Sequence, residues 1–90
     1  MGLLSKYLGK YLRSPAHQLL ISEIKAARLQ AGLSQQALAK RLGHPQSYIA
    51  KIETGERRID VIEFLLLLNV LEISYTDMLE PIAKLLNDSW

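Results

Sequence analysis

Side chains able to do covalent or metal chemistry are scarce in this chain of 90 residues. There is no cysteine, which excludes disulfides, thiolate metal sites and cysteine nucleophiles, and the two histidines, His17 and His44, stand too far apart for a zinc site. The serines and acids fall where helix caps, turns and surface account for them, so neither a catalytic set nor a cofactor is expected. What remains is hydrogen-bonding and ionic chemistry. Lysines and arginines number 11 against 9 aspartates and glutamates, a net charge of +2, but the total conceals a division. Residues 1–58 hold ten basic side chains against Glu23, Glu53 and Glu56, a net of +7, whereas residues 59–90 hold Lys84 against six acids, a net of −5. Such asymmetry points to a nucleic-acid or membrane surface on the basic side.

The elements that must position this charge are helices. A domain this small buries only about two-thirds of its unfolded surface, which leaves little room for a catalytic pocket. The longest near-continuous apolar stretch, Ile59 to Ile73, is broken by Asp60, Glu63, Asn69 and Glu72 and falls short of the ~20 residues of a membrane span. Lys6 and Lys10 interrupt the apolar N-terminal stretch and no small-residue cleavage signature follows, so a cytoplasmic protein without signal peptide is expected. No segment shows strand alternation, and the chain reads as all-α. Leu3, Leu4, Tyr7, Leu8, Tyr11 and Leu12 recur at helical spacing, which predicts a short amphipathic helix over 1–14. Ser14 and Pro15 open a second helix to about Ala31, with Leu20, Ile21, Ile24, Ala27, Leu29 and the stem of Arg28 on one face and Gly32 as its stop.

Ser34 caps a further helix of about eight residues that turns Ala37, Leu38 and Leu42 inward. Only Gly43, His44 and Pro45 separate it from the next, which runs from Pro45 to about Thr54, buries Ile49 and Ile52, and leaves Gln46, Ser47, Ala50 and Lys51 outward. Two short helices joined by a three-residue turn containing Gly make a helix-turn-helix. A strongly apolar helix is predicted from Asp60 to about Leu71. Ser74, with Asp77 three residues on, opens a last helix in which Pro81 predicts a break near Glu80 and a final turn to Leu86. The resulting plan is an N-terminal amphipathic helix at 1–14, a helix-turn-helix domain at 15–80 with its central unit at 34–55, and a short C-terminal helix and tail at 81–90.

The segment Leu33-Ser-Gln-Gln-Ala-Leu-Ala-Lys-Arg-Leu-Gly-His-Pro-Gln-Ser-Tyr-Ile-Ala-Lys-Ile-Glu-Thr-Gly55 closely resembles the helix-turn-helix of the XRE family, which includes the lambda and Cro phage repressors. The resemblance runs from about Ile24 to Leu79. It implies a five-helix lambda-repressor-like DNA-binding bundle, here with the extra N-terminal amphipathic helix, and double-stranded DNA as the partner. Under this resemblance Gln46, Ser47 and Lys51 contact bases, Gln46 suiting adenine N6 and N7 and Lys51 suiting guanine O6 and N7. Gln35, Tyr48, Arg57 and Arg58 are the phosphate contacts it implies. For Tyr48 a thymine methyl or simple surface packing stays open beside the phosphate. Lys40 and Arg41 read as solubilising, and His44 as a neutral turn residue. Glu53 needs a partner in so basic a unit, and the resemblance supplies one in Arg28, as a structural ion pair.

The acidic half is greasier than one buried helix face requires. Val61, Phe64, Leu65, Leu67, Leu68 and Leu71 suffice for the core, while Ile62, Leu66 and Val70 make a second stripe where the resembling proteins commonly carry polar residues. Exposed stripes of this kind mark an interface, so these three are candidates for a dimer contact; the N-terminal helix and tail folding over them is the alternative. Glu72 stands where a helix-ending Gly is common, which puts the shape of that junction in question. Taken together, a sequence-specific transcriptional regulator is expected, acting as a homodimer on a pseudo-palindromic operator. A rival from another class is a protein-interaction module, such as an antitoxin or accessory regulator, with DNA contact secondary. Attachment to a membrane surface through the N-terminal helix is a weaker third option that its few cations disfavour.

Overall fold

The structure, a computed structural model, describes residues 14–89, with side chains through Asn87. The predicted helix over 1–14 therefore lies outside the described residues, apart from Ser14. Five helices account for the regular structure among those described: α1 (Pro15–Gln30), α2 (Gln35–Arg41), α3 (Gln46–Thr54), α4 (Val61–Leu71) and α5 (Tyr75–Ser89). α1 packs against α3 and α5, and α2 against α3. Ile24, Leu38, Ile49, Leu67 and Leu68 are fully buried at the centre, one or two from each of the first four helices, and Met78 and Ile82 close the core from α5.

Local chemistry sets the boundaries. The Ser14 hydroxyl accepts the His17 N–H at 3.2 Å with Pro15 in the first turn, and Ser34 accepts the Ala37 N–H at 3.0 Å, so each cap satisfies an amide that the helix leaves without a partner. Between α2 and α3, Gly43 takes a φ of +74° and the following His44 N–H reaches back to the Ala39 carbonyl at 2.9 Å. That left-handed step reverses the chain within three residues. α4 begins with a reciprocal capping box: the Asp60 carboxylate accepts the Glu63 N–H at 2.7 Å, and the Glu63 carboxylate accepts the Asp60 N–H at 3.2 Å.

Several expectations are corrected. Leu29 is exposed rather than part of the inner face of α1. In α4, Phe64, Leu67, Leu68 and Leu71 fill the inward stripe at i, i+3, i+4 and i+7, which displaces Val61 (71% exposed) and Leu65 (41%) to the outside. Val70, assigned to the outer stripe, is instead partly buried against the core. The break expected near Glu80 does not occur, and α5 runs unbroken through Pro81 to Ser89. Proline deletes one intrahelical bond, that to the Asp77 carbonyl, but both residues are exposed, so water can serve that oxygen while Met78 and Ile82 anchor the helix on its buried side. Glu72 also keeps the shape that glycine would give. It adopts φ +57° and ψ 43°, and the Ile73 N–H reaches the Leu68 carbonyl at 3.0 Å, a left-handed stop made without glycine.

Candidate nucleic-acid interface

α3 divides its residues by period. Ile49 and Ile52 point into the core, and Gln46, Ser47 and Lys51 stand exposed on the opposite side. Gly55 ends the helix at φ +85°, with only 3.2 Å between an added Cβ and Ile21 Cδ1, so the stop is also a close approach to α1.

The orientation of this helix is secured from beneath by charge. Arg28, buried on α1, grips Glu53 of α3 with two parallel hydrogen bonds, Nε to Oε2 at 2.7 Å and Nη2 to Oε1 at 3.0 Å, while its Nη1 donates to the Leu33 carbonyl at 2.8 Å. Burial alone would push the Glu53 pKa up, but the hydrogen bonds from Arg28 and Gln35 and the nearby charges of Arg28 and Lys25 bring it below the usual value. Glu53 is therefore ionised and can only accept. Gln35 must turn its amide nitrogen toward it, donating to Oε1 at 3.0 Å, which leaves the Gln35 oxygen facing Gln46. Gln46 answers with its own nitrogen at 2.7 Å. A buried carboxylate thus dictates, through two amides, that Gln46 presents a free oxygen and one remaining N–H at the head of α3. Those are the two groups that an adenine edge requires.

A second cluster surrounds Tyr48. The residue is only 7% exposed, its ring stacked on His44 at 3.9 Å between centroids, with the Arg57 guanidinium 4.9 Å from its centre on the π-face. Its hydroxyl donates to Glu63 Oε2 at 2.8 Å, and the Arg57 Nη2 donates to the same oxygen at 3.1 Å. Burial, then the hydrogen bond and charge of Glu63, push the Tyr48 pKa to about 12 against the opposing effect of Arg57. Glu63 is moved down by the Tyr48 hydroxyl, the Asp60 N–H and Arg57, which together outweigh its own desolvation. The Tyr48 hydroxyl proton is committed to Glu63 and its ring is packed, which favours the surface-packing reading of this residue over the phosphate contact. Glu63 itself was missed, although Asp60-x-x-Glu63 is a capping-box spacing visible in the sequence.

The structure brings Arg28, Glu53, Gln35 and Gln46 into one chain of hydrogen bonds, and Arg57 and Tyr48 into another group. Arg58 stands exposed, with no hydrogen bond or ion pair to any described residue; Lys51, Arg57 and Arg58 line one open groove with Glu56, Ile59, Asp60 and Glu63. Of the candidate dimer residues, Ile62 (66%) and Leu66 (55%) are exposed, and with Val61 and Leu65 they form a continuous apolar strip. Among the described residues no helix is long and apolar enough to cross a membrane, and no cluster of three or more His, Asp or Glu side chains is arranged to hold a metal ion.

A helix-turn-helix family model matches residues 24–78. No curated protein matches the chain, but solved structures do. An XRE-family like protein from Pseudomonas syringae pv. tomato str. DC3000 is 35% identical, with a TM-score of 0.75 over 87% of this chain and 95% of that one. The wild-type restriction-modification controller protein C.Esp1396I is 28% identical, with a TM-score of 0.70 over 80% of this chain and 95% of that one. The same controller protein, solved as a tetramer in complex with its natural 35 base-pair operator, gives a TM-score of 0.68 at 28% identity, over 80% of this chain and 95% of that one. The family match over residues 24–78, together with 35% identity across most of both chains, places this protein in the XRE-type helix-turn-helix family.

Proposed function

We propose that this protein is a sequence-specific DNA-binding transcriptional regulator that lays α3 in the major groove. Gln46, Ser47 and Lys51 read base edges there, and Gln35, Arg57 and Arg58 hold the phosphate backbone. The observation that carries the reading is the chain Arg28–Glu53–Gln35–Gln46, which pre-sets the polarity of an exposed amide at the head of the helix. An exposed glutamine with no task has no need of a buried salt bridge to aim it. Operator binding by the related controller protein supports the same reading. A cytoplasmic location belongs to the same reading.

The strip Val61, Ile62, Leu65 and Leu66 is assigned to a second copy of the chain. A two-fold pair sets two recognition helices ~34 Å apart and makes the operator a pseudo-palindrome. The same strip is the one observation that favours the rival, a protein-interaction module with DNA contact secondary. Selection of duplexes from a random library by the purified protein, followed by a salt series on the selected site, separates the two. The regulator reading expects a palindromic consensus, affinity falling steeply with salt, and a slope reduced by about one in Arg58→Ala. Absence of any consensus, with tight capture of a protein partner through Leu66, overturns it.

A further inference from the structure

We propose that Glu63 is a positioning residue for the backbone grip, holding the Arg57 guanidinium in its phosphate-binding place; this rests on the DNA-binding reading above. The carboxylate is fixed at both oxygens. Oε1 accepts the Asp60 N–H within the capping box, which ties the side chain to the first turn of α4. Oε2 accepts from the Tyr48 hydroxyl at 2.8 Å and from Arg57 Nη2 at 3.1 Å. Arg57 is thereby pinned from two directions, by the carboxylate at its edge and by the Tyr48 π-face at 4.9 Å. Of the five N–H groups of a guanidinium, one is spent on Glu63, and the others stay available to a phosphate. The side chain is 44% exposed. Arg58, next in sequence, has no such tether among the described residues and must be ordered by the DNA itself.

An acid so close to a phosphate contact opposes binding through its field alone, and this gives the proposal a sign that can be tested. Glu63→Gln removes the repulsion, but a single amide oxygen cannot serve both the Asp60 N–H and the Tyr48–Arg57 pair. If only the field counted, the variant would bind its selected duplex more tightly. Loss of positioning instead weakens specific binding by roughly threefold to tenfold, the usual cost of ordering one long side chain at an interface. The salt slope then falls toward that of Arg57→Ala, and adding Glu63→Gln to Arg57→Ala produces no further weakening.

Asp60→Ala serves as the control for a merely structural role, because it loses the cap that the Asp60 carboxylate gives the Glu63 N–H but keeps the tether to Arg57. It should lower the melting temperature and, since it also takes an acid out of the same groove, bind as tightly as the wild type or more tightly at a temperature where all variants are folded. Equal or tighter binding by Glu63→Gln, or weakening that persists in the Arg57→Ala background, overturns the proposal while the wild type still binds its site. A wild type that selects no duplex overturns the DNA-binding reading as well. If Glu63→Gln does not fold, Tyr48→Phe gives the second test. It leaves Arg57 and Glu63 paired and should keep the wild-type salt slope, and a slope lowered to that of Arg57→Ala would also overturn the proposal.

Discussion

Replacing Glu53 by Gln takes one charge out of a site where the two partners' side chains are 6% and 3% exposed. Arg28 then remains buried and cationic, with its 2.7 Å and 3.0 Å bonds facing an amide that offers one oxygen in place of two. Breaking a buried pair from one side costs about 3–5 kcal/mol, because the surviving charge keeps its desolvation penalty. A small domain has only about 5–10 kcal/mol in hand, so the variant should lose much of its stability, at about 4–8 °C of melting temperature per kcal/mol. Replacing both partners by apolar residues, Arg28→Met with Glu53→Leu, removes both charges together and should cost less than the single change, about 1–3 kcal/mol for the Leu33 carbonyl that loses its donor. That double variant nevertheless strips Gln35 of its anchor. Its DNA preference should therefore relax at the base read by Gln46, by about 1–3 kcal/mol, although its fold is intact. Urea unfolding gives the first comparison and competition binding on single-base variants of the selected site gives the second. The reasoning is refuted if Glu53→Gln costs under about 1 kcal/mol, a value typical of exposed pairs, or if the double variant reads that base as sharply as the wild type. The pH dependence has a definite sign. The folded-state pKa of Glu53 is lowered, so its contribution is present above the unfolded value near 4.5 and is lost as pH falls through the folded value.

Three further outcomes are expected. Glu72→Gly should stabilise by about 0.5–1 kcal/mol, since relief of a left-handed non-glycine residue, about 1–2 kcal/mol, exceeds the entropy that glycine adds to the unfolded chain; a lower melting temperature would contradict the reading of that junction. The Tyr48 hydroxyl, raised from 10.0 to about 12, contributes stability that is complete below pH 10 and is lost as pH climbs through about 12, a step that Tyr48→Phe should lack when unfolding is followed against alkaline pH. Leu66→Glu, placing charge on the apolar strip, should weaken self-association by about tenfold or more in sedimentation without loss of helix content, and an unchanged association constant removes the strip from the dimer contact.

Periodicity and turn residues made the helix-turn-helix readable, because Ser34, Gly43 and Gly55 mark its boundaries and the apolar spacing of α3 separates Ile49 and Ile52 from Gln46, Ser47 and Lys51. The α4 face was harder to read. With only Glu63 and Asn69 to break the run from Val61 to Leu71, a sequence pattern has little polar contrast from which to choose an inward side. The choice of Phe64, Leu67, Leu68 and Leu71 over Val61 and Leu65 is made by packing against other helices. Tyr48 presented a related difficulty, since amphipathic rings suit either surface, and its partners Glu63 and Arg57 come from beyond its own helix. Pro81 and Glu72 each break a local rule, and packing of the adjacent segments keeps the helix and the turn in place.

The relay from Glu53 has a bearing on how the reading head of this protein can change over generations. Because Gln35 shows its oxygen to position 46, a replacement there is welcome only if it brings a donor. Asparagine, serine, lysine or arginine each meet that condition at suitable length; asparagine would keep the adenine preference, lysine or arginine would move it to guanine, and serine would relax it. Glutamate does not, since two acceptors would face one another, and the cytosine preference that an acid confers is closed to this position unless Gln35 changes first. Under the proposed reading, drift in operator sequence is in this way channelled by the Glu53 carboxylate, whose side chain is 3% exposed.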